Sequence, residues 1–410
     1  MKTGSIALAN IGELVTNDPD RDGLLGVVPN AALIVEDGKV SWVGSHHEMP
    51  EQPDVVDCGG SAVLPGFVDP HTHVAFAGDR VSEFARRLRG ESYEEIMAAG
   101  GGIQATVSAT REATLPELTR VTMERVSRMQ MAGTTTVEVK SGYGLDLAHE
   151  KRLLAVAAAA GAAVALDVVP TFLGAHAVAP EFGGDTDGYV EYVIGEVLPE
   201  CAPLARFCDV FCDEGVFTVD QARRVLLAGK EHGLLPRLHA NQLAASGGAQ
   251  LAAELGAVSA DHLDHISDDD IDALRRAGTV AVLLPGVSFS QGLAQPRGCD
   301  LWDSGVTVAL GTDCNPGTSN IETMPFVVAL ACLEMGLSPE QAVWSATRGG
   351  ALALGMEDRG WLVPGAQGDL AILSHSSYVH LAYRPDAPPV AGVIKRGIRQ
   401  AVLRTWPQRP

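Results

Sequence analysis

The sequence predicts an α/β protein: a (β/α)8 TIM barrel carrying a small β-sandwich domain built from both termini. Three observations lead there. The middle of the chain alternates short apolar runs with helical stretches eight times, the pattern of a closed parallel sheet. Both ends are rich in strand signals instead. The polar residues that look out of place gather at the C-terminal ends of the central strands, where a barrel of this kind builds its active site. The small domain is expected over 1–60 plus 365–410 and the barrel over 61–364.

Taken in order, residues 32–36 and 40–43 are strands around Asp37-Gly38, a strong hairpin signal. The barrel begins in the apolar run 62–74, read as one strand. Further strands are expected at 134–140, 163–174, 206–213, 236–240, 257–262, 279–284 and 307–312. Helices at 115–131, 148–160 and 219–232 lie between them. Strands return at 368–373 and 393–402, the second broken by Gly397. No repeat or low-complexity linker interrupts the chain.

Composition narrows the function. Hydrophobic residues make up 46% and charged residues 20%, which is ordinary for a globular protein. The formal net charge of −21 opposes binding to nucleic acid or to an anionic membrane surface. The apolar run 153–166 contains Gly161 and is too short to cross a bilayer. Seven cysteines without CxxC spacing, and no secretory leader, point to a reducing cytoplasm. Cys208 and Cys212 are read as core thiols, with a metal pair as the alternative.

The chemistry starts at His71 and His73. Alternate residues of an extended strand face one way, so both imidazoles enter one space while Thr72 faces away. Lys140 and Tyr143 follow the second strand, His176 the third, His239 and Gln242 the fifth, His262 and His265 the sixth, and Asp313 and Asn315 the eighth. A hydrolytic metal needs a few N or O ligands, an open position and a nearby base. His71, His73, His239 and Asp313 supply ligands from strands one, five and eight, and His262 stands one strand further on to handle protons. A core role for His262 and a turn role for Asp313 are the bland alternatives. Residues 98–103 (AAGGGI) lack the Lys-Ser/Thr of a phosphate loop and are read as a mobile lid.

These residues, with their order, resemble the amidohydrolase superfamily of metal-dependent hydrolases. Within it the chain resembles the imidazolonepropionase family over nearly its whole length. The likeness lies in residues 65–73 (PGFVDPHTH) with Gly78-Asp79-Arg80, 100–103 (GGGI), 137–144 (VEVKSGYG), 171–176 (TFLGAH), 259–262 (SADH) and 311–318 (GTDCNPGT). The resemblance implies hydrolysis of 4-imidazolone-5-propanoate to N-formimidoyl-L-glutamate in histidine degradation, by one zinc or iron ion per chain. It implies His71, His73, His239 and Asp313 as metal ligands. Substrate contacts would be Arg80, Tyr143, His176, Asn315, Gly317 and Thr318, the Arg80 guanidinium meeting the propanoate. Lys140 resembles the carbamylated lysine of binuclear relatives, although the family is expected to use one metal. A homodimer is the family expectation.

One position departs from the pattern. Many members carry Glu three residues after the fifth-strand His, where this chain has Gln242. An amide can orient a substrate but cannot shuttle a proton near pH 7. Gln242 is therefore expected to orient the substrate, with His262 and Asp313 moving protons. A deaminase or another cyclic amidase of the superfamily, and an inactive scaffold, are the alternative readings.

Overall fold

The computed structural model describes residues 3–91, 95 and 100–400. Eight parallel strands form the barrel in chain order. They are strand one (Phe67–Asp69), two (Thr134–Lys140), three (Asp167–Ala175) and four (Phe207–Cys212). Strand five (Leu235–Ala240), six (Ser259–His262), seven (Val280–Leu283) and eight (Val308–Leu310) complete it. The ends meet beyond strands one and eight, where Thr72 and Cys314 form a parallel bridge. There the Asp313 N–H donates to the His71 carbonyl at 3.0 Å, and the His73 N–H to the Cys314 carbonyl at 3.0 Å.

Strand two is buried at every position, as a strand flanked by helices and a filled interior must be. The covering helices start where local chemistry says they should. Thr114 caps Leu115–Met131, and capping boxes open Val219–Glu231 (Thr218/Gln221) and Asp268–Ala277 (Ser267/Asp270). Helix Leu147–Ala163 runs three residues past its expected end, so strand three starts only at Asp167.

The run read as a single strand over 62–74 is two strands in two sheets. Val63–Pro65 pairs with Leu370–Ile372 of the terminal sheet, whereas Phe67–Asp69 pairs with strand two. Gly66 makes the crossing. Its N–H donates to the Asp369 carbonyl at 2.9 Å, and a Cβ there would collide with the Thr135 side chain. Alternation alone cannot reveal a change of sheet within an unbroken apolar run.

The terminal sheet runs Ile398–Arg399, Val390–Lys395, Leu370–Leu373, Val63–Pro65, Ile6–Leu14, Val28–Glu36, Lys39–Ser45, with Val55–Asp57 beside Ile6–Leu14. The Asp37-Gly38 hairpin has positive φ at both residues (50° and 81°), the geometry its sequence favours. A bulge between Leu8 and Ile11 lets one strand change partners. It pairs first with Val55–Asp57 and then, at Leu14, with Val63, which folds the sheet around a core including Leu8, Ile11, Leu33, Val35, Leu370 and Ile394. Asp167, at the start of strand three, pins this domain to the barrel through Arg359 (2.6 Å), Lys395 (2.8 Å) and Arg396 (3.0 Å). No helix among the described residues is long and apolar enough to cross a membrane.

Candidate metal centre and active site

The barrel interior under the mouth holds charge where an ordinary barrel holds branched aliphatics. Glu138, Lys140, Asp209, Arg237 and Asp261 are all buried and bonded to one another. Lys140 Nζ lies 2.6 Å from Asp209, 2.7 Å from Glu138 and 3.7 Å from Asp261. Arg237 donates to Asp261 at 2.8 Å and lies 3.4 Å from Glu138. Burial alone would drive the Lys140 proton off. Asp209 and Glu138 outweigh it and hold the ammonium above its ordinary pKa.

Two of these carboxylates stand behind histidines. His71 Nδ1 lies 2.6 Å from Asp261 Oδ2, and His239 Nδ1 lies 3.0 Å from Asp209 Oδ2. A carboxylate accepts only, so His71 carries its proton on Nδ1 and turns its Nε2 lone pair to the barrel mouth; Asp209 approaches His239 Nδ1 from the same side. Burial, with Lys140 and neighbouring rings, keeps His71 far below the ordinary histidine pKa; burial, His176 and His239 do so for His73. Both are therefore neutral, as a ligand must be.

The free atoms converge. His71 Nε2 and His73 Nε2 each lie 3.4 Å from Asp313 Oδ1, and His73 Nε2 lies 3.3 Å from His239 Nε2. Bonds of about 2.0–2.1 Å to a tetrahedral ion put neighbouring ligand atoms ~3.3–3.4 Å apart. His71 Nε2 and Asp313 Oδ1 are buried without a hydrogen-bond partner. Burial also pushes the Asp313 carboxyl well above the usual range, despite its bond from Asn315. Three interior carboxylates face two cations, and Asp313 adds another negative charge, so a divalent ion would balance the group. The residues fit a metal.

The other predicted residues ring this point. The His262 ring lies 5.2 Å from His71 and 5.1 Å from His239, and one nitrogen from each of the three rings lies within 4.8 Å of the other two. His176 stacks on His73 at 4.9 Å and 17°, and Tyr143 sits 5.3 Å from His176 and 5.9 Å from His73. Asn315 donates to Asp313 Oδ2 at 2.9 Å and accepts from the Gly317 and Thr318 N–H groups at 2.8 Å each. Arg80 Nη1 packs so closely on Gly317 that any Cβ there would collide with it. Its Nε and Nη2 are engaged by Glu83 at 2.8 and 2.7 Å, so one edge of the guanidinium is already paired.

Gln242 follows strand five and is half-buried, and its backbone N–H donates to Asp213 Oδ2 at 2.7 Å. Of the ten non-glycine residues with positive φ among the described residues, five lie at the mouth: Leu145 (58°), Asn241 (52°), His262 (79°), Leu263 (63°) and Asp313 (49°). Such conformations cost about 1–3 kcal/mol each and persist where surrounding structure enforces them. Of the expected lid, Ala98 and Ala99 lie outside the described residues. Gly102 precedes helix Ile103–Glu112 and donates its N–H to Glu83 at 3.2 Å, linking that glycine to the Arg80 pair. Sequence reading missed Glu138, Asp209, Asp213, Arg237 and Asp261. Two of them lay inside motifs already singled out, Glu138 in VEVKSGYG and Asp261 in SADH, but with no role attached.

A sequence profile of the Amidohydrolase family matches residues 202–397. The imidazolonepropionase of Streptomyces coelicolor is 51% identical over 97% of this chain and 100% of its own length. That of Mycolicibacterium smegmatis is 50% identical over 96% of this chain and 97% of its own. The chain belongs to the imidazolonepropionase family. Its fold is also that of distant amidohydrolases. A triazine hydrolase variant superposes with a TM-score of 0.78 at 16% identity, covering 98% of this chain and 97% of the other. The 5-methylcytosine deaminase of Klebsiella pneumoniae gives 0.75 at 15% identity, covering 98% and 99%. Imidazolonepropionase relatives match end to end, so the terminal sheet and the barrel both fall within the shared region.

Proposed function

We infer that the chain hydrolyses the ring C–N bond of 4-imidazolone-5-propanoate to give N-formimidoyl-L-glutamate, a step of histidine degradation. The observation that carries this is about 50% identity to imidazolonepropionases over essentially the full length of both chains. His71, His73, His239 and Asp313 are the metal ligands in this reading, for one zinc or iron ion per chain. When bound, the ion supplies Lewis acidity toward water and the ring carbonyl at neutral pH. Carbamylation needs a neutral amine, and the paired, protonated Lys140 is a poor candidate, which supports one ion rather than two.

The chain's own residues do the rest. Oxygen from water adds to the ring carbonyl carbon, the C–N bond breaks, and the departing nitrogen takes a proton. Asp313 and His262 flank the reacting centre and move that proton; burial and His239 keep the His262 imidazole neutral and able to accept one. Arg80 meets the propanoate with its remaining guanidinium edge beside Gly317. Tyr143, His176, Asn315 and Thr318 hold the ring, and Gln242 orients it.

All seven cysteines are free thiols, in keeping with a cytoplasmic enzyme. The reading includes a homodimer, which light scattering checks directly. The deciding experiment incubates purified protein with 4-imidazolone-5-propanoate and follows loss of the ring together with ammonia. Ring opening without ammonia supports the reading. Ammonia release would make the chain a deaminase, and no turnover by metal-loaded protein would make it a scaffold.

A further inference from the structure

Glu150 lies on the first turn of helix Leu147–Ala163, fully buried and far in sequence from any ligand. Its carboxylate faces backward into the loop that follows strand two. Oε1 accepts the Gly144 and Leu145 N–H groups at 2.8 Å each, and Oε1 and Oε2 share the Gly142 N–H at 3.1 and 3.0 Å. One carboxylate thus gathers the donors of the loop that carries Tyr143.

The same loop sets the chemistry of His176. His176 Nδ1 lies 3.0 Å from the Gly142 carbonyl oxygen, which can only accept. The proton is therefore on Nδ1, and Nε2 is left as an acceptor. An acceptor there recognises a ring N–H and rejects a ring that presents a lone pair. Both glycines follow from this packing. Gly142 has φ of 105°, and a Cβ on it would lie 2.9 Å from His176 Nδ1; a Cβ on Gly144 would lie 2.8 Å from Glu150 Oε1.

We propose that Glu150 is a positioning residue for substrate recognition: it fixes the 142–145 loop, and through the Gly142 carbonyl it presents His176 Nε2 as an acceptor for a substrate ring N–H. This rests on the reading of His176 as a substrate contact. Glu150→Gln keeps the shape but sets an NH2 against the Gly142 N–H, displacing the carbonyl that holds His176.

The test measures kcat and KM for 4-imidazolone-5-propanoate, with metal content, in Glu150→Gln, His176→Ala and the double variant. Glu150→Gln should raise KM about tenfold or more, the loss of roughly one good hydrogen bond, with kcat within about threefold. Metal content should be unchanged, and in the His176→Ala background Glu150→Gln should raise KM by clearly less, the remainder being what the same loop contributes through Tyr143. Unchanged KM in Glu150→Gln, or an equal rise in both backgrounds, overturns the proposal. His176→Ala with normal KM removes the substrate-contact reading and the proposal with it, whereas a raised KM there beside a normal one in Glu150→Gln removes the proposal alone. Should Glu150→Gln not fold, Glu150→Asp keeps the charge but draws the carboxylate back from the Gly142, Gly144 and Leu145 N–H groups. It should raise KM about threefold, and by less when His176 is absent, and an unchanged KM would refute the role.

Discussion

Asp261→Asn tests the metal centre from behind. Asp261 accepts from His71 Nδ1 at 2.6 Å, from Arg237 at 2.8 Å and from Ser259 at 2.6 Å, all in a fully buried site. Asparagine fits the same volume but brings no charge, and its NH2 can face Nδ1 and favour the tautomer that puts the proton on Nε2. Both changes weaken His71 as a ligand. Loss of a carboxylate behind a metal-bound histidine typically lowers metal affinity 10–100-fold, or about 1.4–2.7 kcal/mol. Arg237 also loses its closest partner. Breaking a buried pair costs roughly 3–5 kcal/mol, and the lower end applies because Glu138 remains 3.4 Å away. The assay is competition against a chromogenic chelator, with thermal unfolding of the metal-free and metal-loaded forms. The stabilisation by metal should shrink by the affinity loss, since binding to the native state adds RT ln(1 + [L]/Kd). Wild-type metal affinity in the Asn variant would refute the assignment of His71 as a ligand oriented by Asp261.

Arg80→Ala should lower kcat/KM by about 2 kcal/mol, the lower end for truncating one partner of a charge pair, because Glu83 already engages part of the guanidinium. An analogue lacking the propanoate should lose much less, and equal losses would make Arg80 structural. His262→Asn should cut kcat by about 10²–10⁴, the usual value of general acid–base catalysis, while Gln242→Ala mainly raises KM. A large kcat loss in Gln242→Ala beside normal turnover in His262→Asn would reverse those roles. Asp167 is held down to about 2 against an ordinary 3.8, since Lys395, Arg359 and Arg396 outweigh its burial. A depressed carboxylate stabilises above its unfolded pKa and loses that contribution as pH falls, here about 2 kcal/mol lost between roughly pH 4 and 2. Urea unfolding of Asp167→Asn should show a shallower acid limb than the parent, and an identical limb would count against the ion-pair cluster.

The sequence by itself determined the elements and the outward half of the site. Strand, helix and turn signals are local, so helix Leu115–Met131 and the Asp37-Gly38 hairpin stand where their residues say they should. The candidate ligand histidines could be picked out because each lies at or just past the C-terminal end of a strand, and a parallel barrel sends every such end to one face. The supporting half was decided only by tertiary structure. Asp261 meets His71 across 190 positions of sequence, and Lys140 meets Asp209 across 69. Nothing local distinguishes such a carboxylate from one on a solvated face. Glu150 is similar: its position in a first helical turn reads as ordinary N-terminal charge, and its function as an acceptor comes from the loop folding back upon it. Gly66 shows the same limit in the backbone, because an apolar run records burial but not which of two cores does the burying.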